Sequence, residues 1–144
     1  MTKTNFSAVY FSRGGNTRKV AQAIAEELGV SPVDVKMSKP DVNDADLLVV
    51  GSGTYGGKPA SEVTSFLEGL SPTTGKKAAR FSTCAGDAQK SLASMRDILA
   101  GKEYSVIDCF ACFGKFALVS KRGHPTIEEL NQATEFAKKP KASV

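Results

Sequence analysis

Tyr10-Phe11-Ser12-Arg13-Gly14-Gly15-Asn16-Thr17 is the stretch on which the reading of this 144-residue chain turns. The apolar run Phe6–Phe11 leads into small and polar residues, and a helical pattern follows at once. Val20, Ala21, Ile24, Ala25 and Leu28 recur at the spacing of one helix face, closed by Gly29. A strand that turns through glycines into a helix builds an anion cradle. Small residues let the backbone come close to the ligand, and the first N–H groups of the helix have no partner within it. The hydroxyls of Ser12 and Thr17 and the amide of Asn16 add side-chain donors.

Working outward, Val33–Met37 reads as a brief strand. Asp46–Gly51 holds Leu47-Leu48-Val49-Val50, the continuous apolar run that a parallel strand buried on both faces requires. A glycine-rich loop, Ser52–Gly57, comes next, and Pro59 opens a helix striped by Val63, Phe66, Leu67 and Leu70. Lys77–Ser82 is a further strand. Asp87 is placed to cap a helix through Leu92, Met95 and Leu99 that Gly101 stops. Tyr104–Phe113 is the fifth strand, and Thr126-x-x-Glu129 is a capping box for a last helix striped by Ile127, Leu130, Thr134 and Ala137. Between Val35 and Asp46 no helical stripe occurs, so an irregular link or a single turn is expected there. Strands alternating with helices imply one parallel sheet covered on both sides. No repeat or linker divides residues 1–144, which read as one domain.

Composition narrows the classes. Apolar content of 41% and charged content of 24% are those of a water-soluble globular chain. No apolar run reaches membrane-span length and no signal-peptide pattern opens the chain, so a cytoplasmic location is expected. The net charge is +4, but Lys138, Lys139 and Lys141 account for three of those four charges. They lie within residues 138–144, read here as a loose basic tail, and no nucleic-acid reading motif is present. Cys84, Cys109 and Cys112 are an odd count that argues against a disulfide framework. Cys109 and Cys112 match C-x-x-C, yet they fall inside a strand, where residues three apart face opposite ways. They read as buried structural cysteines rather than a redox dithiol, and with a single histidine no metal site is expected.

Ser12–Thr17, Ser52–Gly57 and Thr83–Asp87 each follow a strand, so all three belong to the carboxyl edge of a parallel sheet, where ligands bind. These residues resemble the flavodoxin family. Ser12-Arg13-Gly14-Gly15-Asn16-Thr17 is similar to its phosphate loop, [ST]-x-[ST]-G-x-T. Asp46–Gly57 is similar to its third strand and first ring loop, and Phe81–Gly86 to the strand and loop on the ring's other side. The resemblance covers nearly the whole chain. It implies a three-layer α/β/α sandwich whose five-stranded parallel sheet has the order 2-1-3-4-5, with flavin mononucleotide (FMN) at the strand 1/strand 3 switch point. Ser12, Arg13, Gly14, Gly15, Asn16 and Thr17 would hold the phosphate. Gly53, Thr54, Tyr55, Gly56 and Gly57 would border the ring, with Tyr55 as the stacking residue. Thr83, Cys84, Ala85, Gly86 and Asp87 would contact its pyrimidine side.

The chain departs from the family pattern in two places. Gly14 stands where the family usually has a hydroxyl residue, and Arg13, Arg18 and Lys19 surround the turn. Cations at a helix start, with Glu26 and Glu27 at its end, oppose the helix dipole. They read either as support for a bound dianion or as solvated surface charges. Gly56-Gly57 reads either as a peptide free to flip beside the ring or as a tight turn. The second departure is the absence of an aromatic in 83–87, which leaves Tyr55 as the only stacking partner. Arg80, a charge inside a covered strand, needs either a carboxylate or an exit to solvent. His124 reads as a turn residue.

No catalytic set is apparent, and the expected function is FMN-based electron transfer between a redox donor and acceptor protein, carried by a monomer. Two alternatives stay open. One is an FMN-dependent NAD(P)H reductase of quinone-type acceptors; the other is an interaction module of the same fold without cofactor.

Overall fold

The computed structural model describes residues 5–12, 15–37, 42, 44–55, 57–84, 88–113 and 127–142, with the main chain alone at Asn16, Cys84, Cys112 and Phe113. Six strands and four helices follow in the order β1 (Phe6–Phe11), α1 (Asn16–Leu28), β2 (Val33–Asp34), β3 (Leu47–Tyr55), β4 (Lys58–Pro59), α2 (Ser61–Glu68), β5 (Lys77–Cys84), α3 (Gln89–Gly101), β6 (Ser105–Phe113) and α4 (Ile127–Ala142). The main sheet runs β2-β1-β3-β5-β6, all parallel, which is 2-1-3-4-5 once the two-residue β4 is set aside. No described residue between β2 and β3 is helical.

β3 is the centre of the molecule because its side chains are apolar on both faces. Leu47 and Val49 join Tyr10, Ala79 and Phe81 beneath α1 and α4. Leu48 and Val50 join Val9, Phe11 and Ala78 beneath α2 and α3. The expected α1 stripe is buried throughout, and Gly29 closes the helix in the left-handed conformation that suits glycine (φ 74°).

Several expectations are corrected. Ser52–Tyr55 is strand rather than loop: β3 continues along β5 as far as Gly53↔Thr83, then pairs antiparallel with β4 at Thr54↔Pro59 and Tyr55↔Lys58. Pro59 therefore sits in β4, where Thr54 is its partner, and α2 starts at Ser61 after the cap residue Ala60. Gly57, next before β4, has φ 80°, while Gly56 lies outside the described residues.

In α4 the buried positions are Ala133, Ala137 and Pro140, while Ile127 is 80% exposed. The helix turns its alanines toward α1, because small side chains let the two axes approach closely. Residues 138–142 are the last turns of α4 rather than a loose tail. Lys141 Nζ donates to the Glu27 carbonyl at 2.9 Å and lies 3.2 Å from the Glu27 carboxylate. Cys109 is exposed rather than buried, since β6 is the edge strand and neither helical layer covers that position. Gly101 is the final residue of α3. The left-handed residue beyond it is Glu103 (φ 69°), with Tyr104 N–H bonded back to Leu99 O at 3.1 Å.

Candidate functional site at the carboxyl edge of the sheet

β1 ends at Phe11, and Ser12 begins the turn. Ser12 Oγ accepts the Gly15 N–H at 2.8 Å, which closes the turn and leaves the hydroxyl hydrogen free to donate elsewhere. Gly15 precedes α1 at φ 87°, a conformation that costs an L-residue about 1–2 kcal/mol, and no side chain caps the helix behind it. The first turn of α1 holds no acidic residue and its last turn no basic one. At the far end the missing cation arrives from another element, since Lys141 of α4 sits on Glu27. At the near end the nearest helix charges are the exposed Arg18 and Lys19. The helix start therefore presents uncapped N–H groups and positive side chains together, which is the chemistry of an anion site.

The ends of β3 and β5 are joined beneath this turn by hydroxyl pairs. Thr17 Oγ1 lies 2.8 Å from Thr83 Oγ1, linking α1 to β5; the two residues are 2% and 4% exposed. On the opposite face of the sheet Thr54 Oγ1 lies 2.7 Å from Ser82 Oγ, which also reaches Ser91 of α3 at 3.5 Å. Ser52 Oγ accepts the Ala60 N–H at 2.8 Å and donates to Gly53 O at 2.7 Å, tying β3 to the start of α2. Ser52, Ser82 and Ser91 were not singled out from the sequence. Their pairing follows from the register that sets Ser52 beside Ser82, which the residue types alone do not mark.

Tyr55 is half-buried, with its ring folded back over Gly53. A Cβ built on Gly53 would meet the Tyr55 hydroxyl at 2.6 Å and the ring carbon that bears it at 2.8 Å. Gly51 receives Phe81 in the same way, a Cβ there falling directly on the ring. Among the expected site residues, Ser12, Gly15, Thr17, Gly53, Thr54, Tyr55, Gly57 and Thr83 thus gather at one edge of the sheet, with the main chain of Asn16 and Cys84. Arg13, Gly14, Gly56, Ala85, Gly86 and Asp87 lie outside the described residues, as does His124.

Arg80 resolves without a carboxylate partner among the described residues. Its Nε donates to Leu92 O and its Nη1 to Asp108 O, both at 3.0 Å. Asp108 follows the irregularity where β6 gains one residue against Ala78/Ala79, so the guanidinium fills a gap in the ladder.

Beside Gly57 a groove of about 670 Å³ opens between α2 and α3, lined by Lys58, Lys90, Ser61, Thr64, Ser65 and Ser94 among others. No group of three or more metal-ligating side chains occurs among the described residues, and none of their helices is long and apolar enough to cross a membrane.

A doubly wound parallel sheet with an uncapped helix start after β1 and hydroxyl-lined ends of β3 and β5 beside it is a flavodoxin-like α/β architecture. The flavodoxin domain model matches residues 8–120, and the chain belongs to that family. An uncharacterized protein of Methanocaldococcus jannaschii is 35% identical over 133 residues, covering 85% of this chain and 88% of its own length. A flavodoxin from the domain Archaea superposes with a TM-score of 0.79 at 17% identity, covering 97% of this chain and 98% of that one. The oxidised Flavodoxin 2 of Bacillus cereus gives 0.77 at 19% identity, covering 98% and 100%.

Proposed function

We propose that this chain binds FMN at the carboxyl edge of β1, β3 and β5 and carries electrons between redox partner proteins. The observation that carries the reading is the start of α1: uncapped, free of acid in its first turn and flanked by Arg18 and Lys19. The same helix has its other end neutralised by Lys141, so the unbalanced end is the one that faces the site. A dianionic phosphate supplies what this terminus lacks, and the family generally binds FMN. When bound, FMN supplies one- and two-electron chemistry. The chain's part is to hold it. Ser12 keeps a hydroxyl hydrogen for the phosphate, Thr17 keeps one when Thr83 donates in their mutual bond, Arg18 and Lys19 supply charge, and Gly53, Tyr55 and Gly57 form the wall beside the ring.

The test is reconstitution. FMN added to the protein should lose its fluorescence and bind far more tightly than riboflavin, which lacks the phosphate. Full retention of fluorescence would leave the interaction-module reading. A second reading, an FMN-dependent reductase that takes hydride from a nicotinamide nucleotide, draws support from the groove beside Gly57. Lys58 and Lys90 are the charged groups lining it, four hydroxyl side chains join them, and its volume suits a ligand of nucleotide size. Anaerobic NADPH should bleach the bound flavin within the mixing time under this reading, and leave it oxidised under the first.

A further inference from the structure

We propose that the groove between α2 and α3 is the docking site for an acidic segment of the partner protein, a short run of Asp and Glu side chains that meets the cations beside Gly57. That this partner is a redox protein rests on the FMN reading above; the acidic character of the segment rests on the groove itself.

Two lysines bracket Gly57. Lys58 follows it in the chain and stands opposite Tyr55 in the β3–β4 pairing. Directly opposed residues of an antiparallel pair project on one face, so Lys58 leaves the hairpin on the same side as the residue expected to stack on the ring. Lys90 reaches the same glycine from α3. A Cβ built on Gly57 would lie 3.8 Å from Lys90 Cδ, so the lysine stem crosses in van der Waals range of the glycine. Both lysines are exposed and both line the groove. Neither has a carboxylate partner among the described residues, in contrast to Arg96, Lys138 and Lys141, which sit on Asp97, Glu135 and Glu27. No acidic residue is among the described lining. Glu62, the carboxylate next to it in sequence, accepts the Ser61 hydroxyl at 3.2 Å.

The form of the groove favours a protein segment over a small ligand. Ser61 and Ser65 on α2, and Lys90 and Ser94 on α3, line one helical turn on each side, about 6 Å of length. About two residues of extended chain cover that length. Serine and threonine hydroxyls both donate and accept, so they serve the peptide groups as well as the carboxylates of such a segment. Lys58, Ser61, Ser65 and Lys90 are all exposed, which leaves the groove open to solvent. Sites for small ligands enclose most of their ligand and are mainly apolar. No aromatic side chain among the described lining residues offers a face to a nucleotide base. The nucleotide that the volume alone would admit is therefore the less favoured occupant.

The test is an NMR titration of the FMN-loaded protein with a hexaglutamate peptide as the probe, with hexalysine and ADP-ribose run alongside. Hexaglutamate should shift the amide signals of Gly57, Lys58, Ser61 and Lys90, and added salt should weaken its binding. Lys58→Gln and Lys90→Gln should each weaken it about threefold and the double variant about tenfold, the scale of exposed ion pairs. Lys139→Gln, an exposed lysine on α4, should leave the affinity within about 1.5-fold. Shifts confined to other surfaces, an equal loss in Lys139→Gln, or equally tight binding of hexalysine would each overturn the proposal. Tighter binding of ADP-ribose than of hexaglutamate in the groove would overturn it in favour of a nucleotide site. A wild type that does not hold FMN would overturn the FMN reading alone, because the same titration of the FMN-free protein still reports on the groove.

Discussion

Gly51 and Gly53 are two positions apart on β3 and both lie under an aromatic ring, yet alanine should act differently at each. At Gly51 the new methyl would collide with Phe81, a fully buried ring with no room to withdraw. Gly51→Ala should destabilise the fold at or above the upper end of the ~1–3 kcal/mol usual for overpacking, read by urea unfolding. At Gly53 the obstacle is the far end of Tyr55, which is half-buried at the end of its strand rather than enclosed like Phe81. Gly53→Ala should leave stability within about 0.5 kcal/mol while changing FMN affinity, because the displaced side chain is the one expected to stack on the ring. The sequence placed Gly51 at the end of a strand and Gly53 in a loop. It could not show that each is instead a seat for a ring: Tyr55 is two residues from its seat on the same strand, and Phe81 reaches Gly51 from the neighbouring one.

At the scale of elements, periodicity located the helices and the apolar strands well, because burial on one face or both leaves a direct mark on residue spacing. Phe6–Phe11 and Asn16–Leu28 fall where the pattern put them. Boundaries set by pairing were less legible. β3 outruns its apolar core by five residues because β5 and then β4 supply hydrogen-bond partners, and nothing in the composition of Gly51–Tyr55 announces those partners. The end of α3 was misread for a similar reason. Gly101 looked like a stop, but the left-handed position is Glu103, an exposed residue under backbone strain. Glu103→Gly should therefore stabilise the protein by about 1 kcal/mol, visible as a raised urea midpoint at constant slope. Of the candidate site, the turn from β1 into α1 was readable from its residue types, whereas the hydroxyl pairs beneath it depend on strand register, which a single sequence does not display.

For the molecule as a whole, two buried tyrosines set an alkaline limit. Burial pushes the Tyr104 phenol above its ordinary value of 10.0. Burial does the same for Tyr10, with the Asp34 carboxylate adding to the shift and Arg18 opposing it. The folded state thus keeps these protons at a pH where the unfolded chain has begun to lose them, so stability falls as pH rises past about 10 and is unaffected by these groups below it. Urea unfolding between pH 8 and 11 should show that decline, and Tyr104→Phe should make it shallower. The charge balance also reads differently at this scale. The basic residues that looked like a tail serve as the end of α4, where Lys141 meets the carbonyl terminus of α1.

The packing of α4 on α1 bears on the order in which the protein can be made. Every described residue of the candidate site lies between Ser12 and Ser94, so a ribosome has delivered all of them well before α4 emerges. Yet the buried faces of α1 and of the sheet that α4 covers stay exposed to water until residues 127–142 follow. A nascent chain stalled before that point would carry the described ligand groups with α1 packed on the sheet alone and its α4 face bare. Cofactor capture during synthesis would then wait on the last helix, and the bare faces of α1 and the sheet would be the surfaces most in need of a chaperone.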